Sequence, residues 1–525
     1  MKRLLLCMAM TGAVWAAACS GGGSGTPPPP PPPTGFTDAS LTGTYVFSMT
    51  GTTVDNTLGT SSFSRVGTFI ADGKGGIAAA GGIDDVHIFG ADTPFAITGG
   101  NYKITTDGRG TLSLIEGTTT INYNIALASS SNGYLVDMIS DDSETGSGTF
   151  TLQSATSLAN GTYVFDFAGI APDGTGNPAS FIGDFVASGA AGSGSIGTGS
   201  FVDVNEAGNF TTKASISGGT YTIDNANPGT GRGTAVIGGL DFVYYVIDSQ
   251  HAQFMGSDND AGSPGTIIGE AIAQQAGTPN TVSAFNNSSF VFVMGGSGQG
   301  VPFTRGGRLT ATSGNLSSVL MDTNNNGTVV SIPLLNNGTI SLDGDNSGRG
   351  VITFKDTAKN TGTYTFIFYL SSATQGVVQE VDNANIVEDG AMLAQTGAPF
   401  SMSGLAKSYA FNWSGVDGNG NEHDFVGSFA TAGANPNGMV DHNEFNPVTG
   451  GKLFLNNLFN GAITIGGDGT GSTGTHSTFV GGISGTPSSS FNYFAYIANP
   501  NTILLMGGAP TAQGVIAGVL TAQAP

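Results

Sequence analysis

Five histidines are the only side chains here whose ordinary pKa suits proton transfer near neutrality, and they are scattered: His87, His251, His423, His442 and His476. No His-x-His or His-x-x-x-His pair exists to grip a metal from one strand or one helical turn. Only His423 and His442 are spaced to meet, with Glu422, Asp424, Asp441 and Glu444 nearby in the chain. That set could hold one metal ion; solvated turn residues are the simpler expectation. Calcium has the better candidates. Asp322-Thr-Asn324-Asn-Asn326-Gly327 places oxygen ligands at alternate positions and a Gly at the bend, as a Ca²⁺ loop does, but Pro333 stands where the twelfth-position acid belongs. Asp343-Gly-Asp345-Asn-Ser347-Gly348 and Asp417-Gly-Asn419-Gly-Asn421 are similar partial matches. Asx-rich hairpin turns have the same composition without an ion. The candidate calcium ligands are therefore Asp322, Asn324, Asn326, Asp343 and Asp345, and no other cofactor is indicated.

Nothing in the sequence marks a catalytic nucleophile. Gly192-Ser-Gly194-Ser-Gly lies in a run of small residues rather than in a strand–turn–helix elbow. A glycosidase needs two carboxylates across a cleft, whereas the recurring Asp84, Asp203, Asp322 and Asp441 come one to a unit and read as structural turn residues. Gly-rich turns such as Asp107-Gly108-Arg109-Gly110 lack the following helix that would complete a phosphate site. The expectation is a protein that is not an enzyme.

The elements that carry these residues are strands. Of 525 residues 85 are Gly and only 10% are charged, yet 39% are hydrophobic and 32 Phe are available for cores, so the chain is not disordered. No apolar period of 3.6 stands out beyond the first residues. The formal charge is −22; without Lys2 and Arg3, 37 acidic residues face 13 basic ones, a net of −24. Such a surface repels phosphate backbones, which excludes nucleic acid as a partner. The only cysteines are Cys7 and Cys19, leaving the body without a disulfide, a Cys-ligated zinc or a thiol nucleophile.

Four segments open alike: Gly43-Thr-Tyr45-Val-Phe47, Gly161-Thr-Tyr163-Val-Phe165, Ser288-Ser-Phe290-Val-Phe292 and Lys407-Ser-Tyr409-Ala-Phe411. A period of two puts both rings of each on one strand face. A second strand recurs at Val66-Gly67, Ile182-Gly183, Gly307 and Val426-Gly427, and a third reaches Asp84, Asp203, Asp322 and Asp441, spaced 119 residues apart each time. Next comes a turn, Gly108-Arg109-Gly110, Gly231-Arg232-Gly233 and Gly348-Arg349-Gly350, degenerate in the fourth copy as Gly469-Thr470-Gly471; each unit closes on Gln153, Gln274, Gln395 or Gln523. The units run 41–155, 159–277, 286–397 and 405–525. About eight short strands in each would leave two exposed sheet edges unless the sheet closes. The fold class expected is thus all-β: four tandem antiparallel meanders, each a small up-and-down barrel, with β-sandwiches as the alternative and an eight-bladed propeller behind both. The Gly-x-Tyr opening strand resembles the Gly-x-Trp start of lipocalin and avidin-type barrels, and the units resemble the uncharacterised tandem β-repeats of bacterial surface lipoproteins.

The first residues explain where such a body would sit. Lys2 and Arg3 precede an apolar run from Leu4 to Trp15, too short to span a bilayer, and Ala16-Ala17-Ala18 lead to Cys19. This segment resembles the bacterial lipobox, with Ala16 in place of the usual Leu. The resemblance implies a signal peptide over 1–18, lipidation of Cys19, and, with Ser20 following, transport to the outer membrane. Residues 19–40 read as a tether, because Gly/Ser followed by Pro27 to Pro33 forms a coil and then a stiff polyproline spacer. The expected protein is anchored in the cell envelope, facing periplasm or surface. Its role would be structural or adhesive, toward an extracellular ligand, glycan or protein, or else that of a barrel-type carrier of a small ligand or glycan; a surface hydrolase, with unit four and its His423 and His442 as the candidate, stands behind both.

Overall fold

Alternation of inward rings with outward small residues makes each repeat a sheet that curls around its own aromatic face. In barrel 1 Tyr45, Phe47 and Met49 point into one core with Phe69, Leu112, Tyr123 and Phe150, while Val46 points outward. The same face builds the cores around Tyr163 and Phe165, Phe290 and Phe292, and Tyr409 and Phe411. The computed structural model describes residues 35–525 except 56–58, 89, 139–143, 174, 191, 228, 258–264, 336–337, 356–361, 418, 433–434, 447–449, 466–476, 485–488 and 509–513. Cys19, the leader, the proline run, His476 and the Gly469-Thr470-Gly471 turn lie outside the described residues.

All four sheets are antiparallel and each closes on itself. In barrel 1 the opening strand Thr42–Asp55 pairs both with Gly59–Asp72 and with the last strand, Glu144–Leu152. Barrel 2 closes where Gly161–Ile170 meets Pro178–Ala190 and Thr266–Ala273, barrel 3 where Asn286–Gly298 meets Val301–Thr312 and Ile386–Ala394. Barrel 4 closes between Ser408–Val416 and Val515–Ala522. Eight strands complete each ring, so the barrel is the architecture, and closure removes the sheet edges that would otherwise pair with other chains. Among the described residues there is no α-helix, and therefore no helix long and apolar enough to cross a membrane.

Two details differ from the sequence reading. Phe36 and Leu41 are buried in the core of barrel 1, and the Tyr102 hydroxyl donates to the carbonyls of Asp38 and Leu41, so chain assigned to the tether is already packed. The recurring aspartates are not turn residues. They lie within strands, and register shows that Val66 faces Asp85, Ile182 faces Asp203, Gly306 faces Asp322 and Val426 faces Asp441. Asp85, not Asp84, is the first member of the series. Asp84 points the other way, into barrel 1, which a shift of one residue in a strand requires.

Candidate functional site: the seams and central cavity of a barrel ring

The outward aspartates meet partners in the next barrel. Asp85 accepts Arg232 Nε at 2.7 Å, Arg232 Nη2 at 2.8 Å and the Tyr245 hydroxyl at 2.5 Å. Asp203 repeats this with Arg349 Nε at 2.7 Å, Nη2 at 2.8 Å and Tyr369 at 2.6 Å. Asp322 accepts the Tyr496 hydroxyl, and Asp441 accepts Arg109 Nη1 at 3.1 Å. Each Arg comes from a Gly-Arg-Gly turn, and its cross-strand neighbour is Tyr245, Tyr369 or, in barrel 1, Ala126. A fork of two N–H groups on a carboxylate is directional as well as strong. Burial, then the neighbouring aspartate, pushes the Tyr245 and Tyr369 hydroxyls well up, so both remain donors.

The closing glutamines form a second lock. Gln153 Nε2 donates to the carbonyls of Val246 and Thr230 at 2.6 and 2.8 Å, Gln274 to Leu370 at 3.1 Å and Gln395 to Ile497 at 2.9 Å. Gln523, near the end of the chain, donates to Asp107 and Leu127 of barrel 1 at 2.8 and 3.0 Å. The glutamine seat explains the turn glycines. Gly231 has φ +70°, and a Cβ there would stand 2.6 Å from Gln153 Nε2; at Gly348, with φ +73°, it would stand 2.6 Å from Gln274 Nε2. A third lock uses Asn: Nδ2 of Asn205 donates to Glu380 and Ile386, of Asn324 to Gly507 and Gly514, and of Asn443 to Asp137. In barrel 1 this slot holds His87, whose Nδ1 meets Asp92 of its own barrel at 2.5 Å.

Barrel 1 thus joins 2, 2 joins 3, 3 joins 4, and 4 returns to 1. Apolar clusters fill the same four seams: Val46 with Tyr245, Val164 with Tyr369, Val291 with Tyr496, and Val426 with Val136. The last seam is made as though a fifth barrel followed. Ala524 N donates to Ala128 O at 2.8 Å, just as Ser154 N does to Ile247 O, Gln275 N to Ser371 O and Thr396 N to Ala498 O at 2.7 to 2.8 Å. The body is a closed ring of four barrels.

A ring encloses space. A cavity of about 490 Å³ is lined by Thr52, Ser147, Ile170, Ser414, Glu422 and Asp424, from barrels 1, 2 and 4. A second of about 310 Å³, between barrels 2 and 3, is lined by Asp166, Gln253, Glu270, Gln375 and Asp389 and shares Ala168 and Ile268 with the first. Among the described residues the lining carries five carboxylates and no lysine or arginine. Burial raises Asp424 to about 6 and Asp389 to about 7, and burial followed by Asp389 lifts Asp166 well up. Burial also raises Glu422, with Asp424 adding to it. Glu270 is the exception: burial works to raise it, but the bond to His251 Nε2 at 3.0 Å lowers it on balance. Carboxylic acids that keep their protons near neutrality can donate hydrogen bonds as well as accept them.

The residues singled out for calcium are distributed over two seams of barrel 3. Asp322 and Asn324 face barrel 4 as described, and Asn326 holds a positive φ of 46° in the turn beyond. Asp343 and Asp345 face barrel 2 and share one cation that the protein supplies, Lys213 Nζ, at 2.6 and 2.8 Å. Asp343 also takes Arg349 Nη1 at 3.0 Å. Burial opposes ionisation of Asp345, yet Lys213 and Ser347 outweigh it and hold its pKa to about 2. Among the described residues no cluster of three or more His, Cys, Asp or Glu has metal-binding geometry. His423 and His442 do meet, but not as solvated turn residues. They are buried in barrel 4, His423 Nδ1 lying 2.8 Å from His442 Nε2, and both rings stack on Phe425. Burial, then the charge of His423, pushes His442 well down, so the pair shares a hydrogen bond within an aromatic stack.

No protein-family model and no curated protein sequence matches this chain. Solved structures with some likeness include a transferrin-binding protein B double mutant from Haemophilus parasuis Hp5, at 12% identity over 75% of this chain and 83% of that one, with a TM-score of 0.19. The isotype 1 transferrin-binding protein B of serogroup B Neisseria meningitidis gives 10% identity over 74% and 84%, with a TM-score of 0.20. A putative AttH from Nitrosomonas europaea gives 9% identity over 67% and 92%, with a TM-score of 0.15. Scores this low carry no architectural or functional inference.

Proposed function

We propose that this chain is a lipid-anchored protein of the bacterial cell envelope, held through Cys19 at the outer membrane. Its ring of four barrels acts as a non-catalytic binding body toward an extracellular ligand, glycan or protein. One observation supports this over a string of spacer domains: the locks between repeats close on themselves, and three barrels of the closed ring together line a cavity that carries Glu422 and Asp424. A spacer has no use for closure, which shortens it. A binding body gains from it, because a site shared by several rigid barrels is pre-organised before the ligand arrives. The lining of carboxylic acids, threonines and serines is a set of donors and acceptors suited to a hydroxyl-rich or cationic group. Two measurements test the reading. Mass spectrometry of the mature N-terminal peptide should find acylated Cys19, and an unmodified Cys19 would remove the anchor. A glycan and small-ligand screen of the full chain, with and without Ca²⁺, should give a ligand whose binding is lost in Asp424→Ala; binding unchanged in that variant would place the site elsewhere.

A further inference from the structure

The four barrel interiors are not filled alike. Paired positions on the first two strands decide the filling: Met49 faces Arg65 in barrel 1, Phe167 faces Phe181 in barrel 2, Met294 faces Arg305 in barrel 3 and Trp413 faces Phe425 in barrel 4. In barrel 4 the indole of Trp413 packs against Phe411 at 4.1 Å, Tyr493 at 4.8 Å, Phe459 at 5.5 Å and Phe479 at 5.8 Å, so that its interior is closed by rings. Barrel 2 has the smaller Phe167 in the slot of Trp413, and it leaves a void. This cavity measures about 130 Å³, and its walls include Phe165, Phe167, Phe181, Ile216, Ile237 and Phe242. Among the described residues, no side chain that lines it is ionisable or able to hydrogen-bond.

One flank of the void is an added hairpin, held on its outer face by the contacts of Asp203, Asn205 and Lys213 to barrel 3. The hairpin Phe201–Glu206 and Asn209–Ser215, which contributes Val202 and Val204, is joined to the barrel through strand Pro178–Ala190 alone. Opposite it stands the Gly238-Gly239 turn, both residues at positive φ. Phe181, Val202, Val204 and Leu240 in its walls are only half-buried, so the cavity reaches solvent without that hairpin leaving the seam or the eight-stranded ring breaking.

We infer that barrel 2 holds a binding site for an uncharged, single-ring aromatic compound. Size sets the limit, since an apolar cavity of about 150 Å³ stays dry and takes up benzene. Chemistry sets the class. The void has no group to satisfy a polar atom, so a charged or multiply hydroxylated molecule would lose its hydration for nothing. The rings that form its walls, Phe165 on Phe167 at 4.6 Å and Phe167 on Phe242 at 4.8 Å, offer faces and edges to a further ring. This site does not depend on acylation of Cys19 or on the central cavity, so it stands or falls separately from the binding role proposed above.

Benzene, titrated into the full chain, should raise the melting temperature saturably, while benzoate, the same ring carrying a charged carboxylate, should bind about tenfold or more weakly. Ile216→Phe fills the void and should abolish the benzene response. Val204→Leu, a milder filling, serves if the first variant misfolds, and ligand-observed NMR with benzene reports occupancy independently of stability. No benzene response in the unsubstituted chain would overturn the inference, as would a response that survives filling in a folded variant or one that benzoate matches.

Discussion

Barrels 1 and 3 differ from barrels 2 and 4 in how they fill the same interior. In barrel 1 Arg65 donates to Asp84 at 2.7 Å and to Glu144 at 3.4 Å; in barrel 3 Arg305 meets Glu388 at 2.9 Å and lies between the rings of Phe303, Tyr364 and Phe366. Register puts Phe181 and Phe425 in the arginine slot of the other two barrels. A second slot changes with it. Asp137 and Glu380 pair with Tyr123 and Phe366 in the charged barrels, where Gly256 and Gly507 pair with Phe242 and Tyr493 in the aromatic ones. A buried guanidinium demands a carboxylate, and a ring in its place demands room, so the two slots vary together. The seams alternate in no such way. The fold is held constant by the outward face, which locks the ring, while the inward face is free to differ.

The largest expected effect separates the two kinds of core. Arg305→Leu leaves Glu388 without its counter-ion and should cost about 3–5 kcal/mol at pH 8. Trp413→Ala removes packing and should cost a similar 3–5 kcal/mol. The pH dependence tells them apart: the Arg305 loss should shrink toward pH 5, where Glu388, raised by burial to about 7, is protonated, while the Trp413 loss stays flat. Equal pH profiles in chemical denaturation would break the comparison.

Next in size is a seam. Tyr369→Phe removes one hydrogen bond to the buried Asp203 and should cost about 1.5–3 kcal/mol. Tyr245→Phe should cost a like amount at Asp85, because the two seams are built alike. A loss at one and none at the other would show that the locks are not equivalent.

A smaller, global effect follows from the carboxyls whose folded pKa lies above the unfolded one, among them Asp389 at about 7 and Asp424 at about 6. Between the unfolded carboxylate pKa of about 4 and these values the folded state binds more protons than the unfolded state, so their stabilisation is complete below about pH 4 and is lost as pH rises to 7. Groups held low, such as Asp345 at about 2, lose theirs only in stronger acid. The melting temperature should therefore be higher at pH 5 than at pH 8. Asp166→Asn, which supplies a permanent donor to Asp389, should flatten part of that fall.

Much of this was legible in the chain. Inward rings at Tyr45 and Phe47 and their three echoes follow from a period of two, and sheet closure follows from the strand count. The Gly-Arg-Gly turns and the terminal glutamines were visible as repeats, yet their partners were not, because Arg232 and Asp85 lie 147 residues apart and no local pattern joins them. Numerical spacing misled once. The interval of 119 selects Asp84, whereas strand register selects Asp85, since one residue more in a strand changes the face. The charged interiors could have been found by setting Arg65, Phe181, Arg305 and Phe425 in one column. The filling of barrel 2 could not, because a void is a property of packed volumes.

Closure between the fourth barrel and the first is the claim on which the rest depends, and the body's lack of cysteine makes it easy to test. Ser129 and Ala524 pair as an isolated bridge between barrel 1 and the last residues. In the double variant Ser129→Cys, Ala524→Cys, mild oxidation should link the two peptides within one chain, as read by mass spectrometry of the monomer. Two free thiols, or links only between chains, would contradict the ring.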